Sequence, residues 1–391
     1  MVKIFAMTHK GFDVPNDPMY IPLHVGHAGA KMDFGYMGDD TGDNISDLNC
    51  YYAELSGVYW VWKNYHQADC VGICHYRRFL TDENGYAFTE KEYEDILKKY
   101  DIITTKQLEL PNSYRFGFGA HHNVNTLDET GKIIKEHYPE FYDTYVTLVN
   151  ENRTYFGNIM VAKKALYDEY CEWLFGIFFE LQRRIDLTFE DDYHKRVFGF
   201  ISEFLLYVWV TAKKLSAYEC RVAIIGEKKE TSEIKEQMQF FFEKRDMVRA
   251  KEYFLEYLKK RPDVIMEASD VTGECKLCLQ AVSTANLEQA KYGSSFLDRI
   301  NDYDTIIKYF RQLNKAAAQF VKEAAGGCAR KNIPKAEYVQ TIEADDYDQS
   351  TISDASDIAL RAAVRLYAPD QETAQTAFEQ IKAYQKKQLR E

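Results

Sequence analysis

Strand-like and helix-like stretches alternate through the first 228 residues, and this alternation constrains the fold more than any other feature. Amphipathic stretches that predict helices separate short apolar runs that predict buried strands, at residues 3–8, 70–74, 100–105, 155–162 and 219–225. After residue 229 the strand signals stop and helical periodicity continues alone. We therefore expect an α/β domain over residues 1–228 and an all-α domain over residues 229–391.

Charge and apolar patterning exclude several classes of protein. The 391 residues carry a formal net charge of −12 and a pI of about 5.4, which argues against nucleic-acid binding and against a polybasic membrane anchor. The most apolar stretches are interrupted by glutamates, so no transmembrane segment is predicted. Eight scattered cysteines are typical of reduced thiols in a cytoplasmic protein. Peripheral association with the inner face of a membrane stays open.

The run Asp69–Phe79, DCVGICHYRRF, carries the strongest site signal. Its apolar part predicts a buried strand, and the strand ends in His75, Tyr76, Arg77 and Arg78. Ligands of open α/β sheets bind beyond the carboxyl ends of the strands, where two arginines and a histidine would suit a phosphate. The alternative is a strand followed by a solvated basic turn.

Residues 11–47 form a long segment rich in Gly, Pro, Asp and Asn, with a short strand expected near residues 21–25. Asp39, Asp40 and Asp43 gather three carboxylates beside Asn44. Carboxylates this close repel one another unless a cation or several N–H donors compensate them. They could hold Mg²⁺ or Mn²⁺, bind sugar hydroxyls, or cap turns.

Four further residues are candidates for chemistry. His121 and His122 follow the glycine-rich segment 114–119, where histidines can act as acids, bases or ligands, or simply be solvated. Asn158 is predicted inside an apolar strand, where a buried amide needs partners. Glu203 lies on an apolar helical face, either as a salt-bridged core residue or as a base with a pKa raised by burial.

A series of ordered blocks over roughly residues 1–225 resembles one protein family. The blocks are THKGFDVPND, YIPLHVG, DDTGDNIS, ELSGVYWVWKN, VGICHYRRF, AHH, YFGNIMVAKKALYDEYCEWLF and KRVFGFISEFLLYVW. They are similar to those of the bacterial capsular and exopolysaccharide glycosyltransferases that are often catalogued as a domain of unknown function. The resemblance does not extend to residues 229–391.

This resemblance implies a glycosyltransferase-A-like, Rossmann-like fold and a hexosyltransferase activity. The implied donor is a nucleotide sugar, with UDP-linked galactose or galactofuranose as the expectation. The implied acceptor is a growing cell-surface polysaccharide or lipopolysaccharide, as a glycan or lipid-linked glycan, reached from the cytoplasmic side. Inversion and retention are both left open.

One departure from related transferases concerns metal. Many transferases of this fold end the central strand with Asp-x-Asp, which binds a metal on the donor diphosphate, whereas this strand ends in His-Tyr-Arg-Arg. Arginines can themselves neutralise a departing diphosphate, so a requirement for Mn²⁺ or Mg²⁺ is in doubt.

The resemblance also sorts the candidate residues by role. It implies Glu203, His121 and His122 as catalytic candidates and Asn158 as an acceptor-binding candidate. The expected donor-binding residues are Thr8, His9, Lys10, Asp39, Asp40, Asp43, Asn44, His75, Tyr76, Arg77 and Arg78. The rival hypothesis is a non-catalytic nucleotide- or carbohydrate-binding module whose helical tail recruits partners.

Overall fold

The computed structural model describes residues 1–265, 269–300, 302–325 and 350–388. The chain divides into two compact units, Met1–Ile225 (unit 1) and Gly226–Glu391 (unit 2). The division falls three residues before the boundary expected from the sequence.

Unit 1 is built on a mixed sheet. Its strands are β1 (Val2–Thr8), β2 (Tyr20–His24), β3 (Met37–Gly38), β4 (Cys70–His75), β5 (Arg78–Thr81), β6 (Ile102–Thr105), β9 (Met160–Lys163) and β10 (Ala217–Ile224), and a separate small ribbon pairs β7 (Leu108–Glu109) with β8 (Arg153–Thr154). β1 lies between β2 and β4 and is parallel to both. The carboxyl ends of these three strands therefore meet at one edge of the sheet, which positions the candidate site.

The remaining strands pair in a series that begins and ends at β4. β4 pairs with β9, and β9 pairs with β6, both antiparallel. β6 is parallel to β10, and β10 is antiparallel to β5. β5 rejoins β4 through the pair His75–Arg78.

Helices cover both faces of the sheet. They are α1 (Asn49–Tyr52), α2 (Leu55–Asn64), α3 (Glu90–Leu97), α4 (Tyr114–Gly119), α5 (Asn125–His137), α6 (Pro139–Val149), α7 (Lys164–Arg184) and α8 (Val197–Ala212). Because side chains alternate along a strand, Phe5 and Ile73 pack into the larger core with α2, α7 and α8, while Ile4 and Cys74 pack into the core beside α3. The apolar runs predicted as buried strands thus fill two cores at once.

One sequence prediction for unit 1 is wrong in detail. Residues 155–162 were expected to form one strand, but β9 begins only at Met160. Gly157 (φ 89°) and Asn158 (φ 49°) both lie in the left-handed region, which no extended strand adopts. Asn158 is therefore in a turn. The glycine-rich segment 114–119 forms α4, whose first turn is capped by Ser113 Oγ accepting from Phe116 N (3.3 Å).

Unit 2 is helical, and its described part contains no strand. Its helices are α9 (Lys229–Glu243), α10 (Met247–Lys260), α11 (Glu274–Tyr292), α12 (Tyr303–Ala324), α13 (Ser350–Ser353), α14 (Asp357–Tyr367) and α15 (Gln371–Gln388). They enclose a core of their own that includes Phe242, Phe254 and Phe310. Among the described residues of the whole chain, no helix is both long enough and apolar enough to cross a membrane.

Candidate active site

The basic run predicted to follow the central strand forms a tight hairpin. His75 ends β4 and pairs directly with Arg78, the first residue of β5, so the two side chains share one face of the sheet. The Arg78 guanidinium stacks on the Phe156 ring at 4.8 Å from the ring centroid. Arg77 is joined to the end of β10, because its Nε donates to the carbonyl oxygen of Ile225 (3.2 Å). The hairpin therefore places Arg77 and Arg78 in different surroundings, a difference that could not be predicted from the sequence.

The turn before β9 carries a buried amide that joins three elements. Asn158 Nδ2 donates to Glu54 Oε1 (2.8 Å) and to the carbonyl oxygen of Gly199 (3.0 Å). Ser202 Oγ donates to Asn158 Oδ1 (2.8 Å). Both amide N–H groups are thus committed to the protein, which ties the β9 turn to the starts of α2 and α8. The expected acceptor-binding role of Asn158 remains a prediction.

The same turn orients the residues of the hairpin. His75 Nε2 donates to the carbonyl oxygen of Gly157 in a short hydrogen bond. A Cβ placed on Gly157 would stand 3.5 Å from Arg78 Nη1, so the guanidinium lies against this turn. The backbone is left-handed at both Gly157 and Asn158, and Asn tolerates this conformation better than most residues.

Glu54, His75, Arg78, Asn158, Arg196, Ser202 and Glu203 are called the cluster. Within the cluster, Glu54 is an ionised carboxylate. Burial opposes its ionisation, but the charges of His75 and Arg196 and the hydrogen bond from Asn158 outweigh burial, so its pKa lies below the ordinary value. A carboxylate with fixed partners on several sides is well placed to hold cationic groups in position.

The pKa values of His75 and Arg78 are both lowered, because burial disfavours the charged form of each side chain. Burial lowers the pKa of His75, with Glu54 opposing the shift and Arg78 adding to it. Burial also lowers the pKa of Arg78, while Glu203 and then Glu54 favour its charge. Arg78 remains a cation at neutral pH, because the ordinary value lies far above it. Two carboxylates thus act on one guanidinium.

Glu54, His75, Arg78 and Glu203 form a partly exposed polar surface at the carboxyl end of β4, called the cleft below, and are not part of a closed core. Glu54, His75, Arg78 and Glu203 each keep part of their surface accessible to solvent although burial dominates the pKa shifts of the first three. The enclosed cavity beneath Asn158 has a volume of only about 10 Å³, about one water molecule. A cavity of this size is too small for a ligand larger than water.

The end of β1 lies beside the hairpin. Thr8 Oγ1 accepts from Lys10 N (3.0 Å) and donates to the Lys10 carbonyl oxygen (2.6 Å), so this buried hydroxyl shapes the turn. The exposed His9 ring packs edge-on against Tyr76 at 5.7 Å between centroids, and Tyr76 contacts Phe12 at 6.0 Å. These rings at the sheet edge offer faces on which a base could stack.

The predicted acidic loop is held by hydrogen bonds within the protein. Asp39 is fully buried and accepts from Gly26 N (2.9 Å), His27 N (3.0 Å) and Ser46 Oγ (2.5 Å). Asp40 pairs with His27 Nδ1 at 2.9 Å. These two carboxylates support the turn interpretation, one of the alternatives left open by the sequence.

The second half of the loop is bound to α2. Asp43 Oδ1 accepts from Tyr59 Oη (3.0 Å), and Asn64 Nδ2 donates to the Asp43 carbonyl oxygen (2.8 Å). Asn44 Nδ2 donates to the Gly42 carbonyl oxygen (3.0 Å). Among the residues that the structure describes, no group of three or more His, Cys, Asp and Glu side chains is arranged to hold a metal ion. Metal dependence stays untested.

The tandem histidines lie beside the start of α8. The His122 ring contacts Phe200 (4.4 Å between centroids) and stacks on Tyr193 (5.3 Å). The carbonyl oxygen of the exposed His121 accepts from His194 Nε2 (2.9 Å). Glu203 lies in the same helix as Phe200, one turn on. The structure therefore places both histidines beside the helix that carries Glu203.

Three members of the cluster were not predicted from the sequence. Glu54, Arg196 and Ser202 lie in or beside blocks that carried the family resemblance, but none of them interrupts an apolar pattern as Asn158 and Glu203 do. A usable signal existed for Glu54 alone, because a glutamate at the start of an apolar helix is favourably placed relative to the helix dipole. Asn158, which bonds to both Glu54 and Ser202, is remote from them in sequence.

Comparison with known proteins identifies the family. Residues 3–214 match the family described as "Domain of unknown function (DUF4422)", and the chain belongs to this family. No curated protein matches its sequence significantly.

Among solved structures, the chain is similar to the apo structure of the bifunctional glycosyltransferase WbbM. The sequence of WbbM is 29% identical, the TM-score is 0.52, and the alignment covers 58% of this chain and 45% of the WbbM chain. The chain thus spans less than half of the length of WbbM.

Proposed function

We propose that this protein is a glycosyltransferase that moves a hexosyl unit from a nucleotide-sugar donor to a polysaccharide or lipopolysaccharide acceptor. The observation that carries the proposal is the cleft at the carboxyl end of β4, where Arg78 lies under the influence of both Glu203 and Glu54. The similarity to WbbM supports it, since WbbM is a bifunctional glycosyltransferase.

The proposed fold class is glycosyltransferase-A-like. The parallel strands β1, β2 and β4 end at one edge, as expected for a nucleotide-binding sheet. We propose a UDP-linked donor, with galactose or galactofuranose as the sugar. Its uracil and ribose would bind near Thr8, His9 and Tyr76, where aromatic faces lie beside the end of β1.

The chemistry follows from where charge develops. Breaking the bond between the sugar and the diphosphate leaves negative charge on the departing oxygen, and a fixed cation stabilises the transition state more than the ground state. Arg78 would supply that cation. Glu203 would accept the proton of the attacking acceptor hydroxyl in an inverting reaction. The described residues include no group of three or more His, Cys, Asp and Glu side chains that could hold a metal ion, so the proposed steps use the protein's own side chains.

The proposed surroundings follow from this substrate pair. The acceptor would be a glycan or lipid-linked glycan, and the work would take place in the cytoplasm at the inner face of the membrane.

The test measures release of UDP from UDP-galactose and related UDP-hexoses by the purified chain, with and without Mn²⁺ and an oligosaccharide acceptor. Arg78→Lys and Glu203→Gln are expected to slow turnover by about 10²–10³-fold. The matched control is Arg221→Lys, which alters a half-exposed arginine of β10 paired with Glu83 (3.2 Å). It should leave the rate unchanged.

Two outcomes would contradict the proposal. A wild-type chain that binds UDP but never releases it from any UDP-hexose would favour the non-catalytic binding module. Arg78→Lys and Glu203→Gln variants that keep the full rate while folded would remove both residues from the proposed chemistry.

A further inference from the structure

Arg196 lies at the side of the cleft because of how α8 begins. It is the residue immediately before α8, in a short turn of helix (His194–Arg196) that packs against α1. One turn further on, a Cβ placed on Gly199 would stand 3.8 Å from Glu54 Oε2. The first turn of α8 is thus seated on the Glu54 carboxylate, and Arg196 stands at its start.

The side chain of Arg196 is without a partner among the residues that the structure describes. It is exposed, and no hydrogen bond or ion pair joins it to any residue that the structure describes. Its charge nevertheless acts on Glu54 and on His75. By contrast, the exposed Arg183 donates to Glu180 (2.7 Å). Arg196 therefore keeps its N–H donors available while standing near the cleft.

The electrostatic balance of this region favours an added anion. Arg77, Arg78 and Arg196 bring three positive charges to a region where two carboxylates, Glu54 and Glu203, act on Arg78. A cation at the start of a helix is also unfavourable, since the helix dipole is positive there. Such an arrangement lowers its free energy when a multiply charged anion binds.

We propose that Arg196 is a second anion-binding residue of the cleft and that, together with Arg78, it binds the diphosphate of the donor. The inference rests on the proposed function, because it takes a nucleoside diphosphate as the ligand. Two forked guanidinium groups near one carboxylate match the two phosphates of such a ligand through paired N–H donors. Arg78 is held by the β4–β5 hairpin, whereas Arg196 has a side chain able to close on the ligand.

The test compares the affinities of UDP and uridine for the intact chain by calorimetry. Arg196→Gln is expected to weaken UDP binding about tenfold, the loss expected for one charge-assisted hydrogen bond, while uridine binding stays the same. Arg196→Lys should lose less UDP affinity, because lysine keeps the positive charge although it lacks the paired N–H donors of the guanidinium group. Arg183→Gln is the matched control, an exposed arginine on α7, and should change neither affinity.

The outcomes separate this inference from the proposed function. An unchanged UDP affinity in Arg196→Gln, or an equal loss for UDP and uridine, would overturn the role of Arg196 while leaving the donor site in place. A wild-type chain that binds neither UDP nor uridine would overturn the proposed UDP-linked donor and the role of Arg196 with it. Unchanged melting of the Arg196→Gln protein confirms that any loss is local.

Discussion

Replacing Asn158 by alanine is expected to destabilise unit 1 by about 4 kcal/mol. The hydrogen bond from Asn158 Nδ2 to the ionised Glu54 contributes about 2 kcal/mol. The bonds with Gly199 and Ser202 contribute about 1 kcal/mol together, because Ser202 Oγ also lies 2.8 Å from the Gly199 carbonyl oxygen and keeps that contact. The left-handed backbone of Asn158 adds about 1 kcal/mol, since alanine adopts it at a higher cost.

Tryptophan fluorescence can follow this loss in the intact chain. All four tryptophans, Trp60, Trp62, Trp173 and Trp209, lie in unit 1, so urea unfolding monitored by their emission reports on that unit. For a unit of this size, the expected change corresponds to a fall in melting temperature of roughly 8–16 °C. The control is Asn150→Ala, which removes one exposed hydrogen bond to Val146 and should cost at most about 0.5 kcal/mol.

The Asn158→Asp variant tests the direction in which stability changes with pH as well as the size of the change. It keeps the shape of the side chain but sets a second carboxylate against Glu54, so the pKa of one of the pair rises above its unfolded value. The carboxyl group with the raised pKa then contributes to the stability of the folded protein while it is protonated, at acidic pH. This contribution is lost as the pH rises through the raised pKa. This variant should approach the wild type near pH 4 and fall furthest behind it at pH 7.

Two results would refute this role for Asn158. One is an Asn158→Ala protein no less stable than the Asn150→Ala control, which would mean that the buried amide does not hold the three elements together. The other is an Asn158→Asp deficit that does not vary with pH, which would mean that Glu54 is not ionised beside it.

Further substitutions test packing in unit 1 and an ion cluster in unit 2. Gly57→Ala should destabilise unit 1 by about 1–2 kcal/mol in the same fluorescence assay, because its Cβ would meet side chains of β1, β2 and the residue after β2 at 2.5–3.1 Å. Gly117→Ala, within α4 with open space around it, should instead stabilise by up to about 1 kcal/mol. Asp263→Asn should destabilise unit 2 by about 3 kcal/mol in calorimetry, since Asp263 is buried against Arg261 (2.9 Å at both oxygens) and Lys228 (2.7 Å). Burial opposes the ionisation of Asp263, but pairing with Arg261 and Lys228 outweighs burial and holds the pKa of Asp263 well below its ordinary value. The wild-type advantage should therefore persist at neutral pH and shrink only as pH falls below about 4.

The main strands and helices of unit 1 could be predicted because their signals are local. The sequence predicts strands at residues 3–8 and 70–74 and helices at residues 164–185 and 197–215. These bounds lie within three residues of the ends of β1, β4, α7 and α8, since apolar runs and helical periodicity reflect burial of the segment itself. The same signals failed at Gly157 and Asn158. There the apolar neighbours suggested a strand, whereas the backbone is left-handed at both residues.

The candidate site was predicted in part. A cationic group at the end of the central strand follows from the sequence, because a polar run after a buried strand must lie at the edge of the sheet. Which arginine enters the cleft does not follow, since Arg77 and Arg78 differ only in the face of the hairpin that each occupies. The acidic loop was equally ambiguous, because its partners come from distant parts of the chain such as Tyr59.

By itself, the sequence determined that an α/β region precedes a helical one, that a basic run ends a buried strand, and that the first part resembles one family. These conclusions need only burial patterns and residue order. The tertiary structure alone decided that Glu54, 104 positions away in sequence, holds Asn158, and that His75 reaches Gly157, 82 positions away. Such contacts depend on how strands and helices pack, and no local pattern encodes the identity of a partner so remote along the chain.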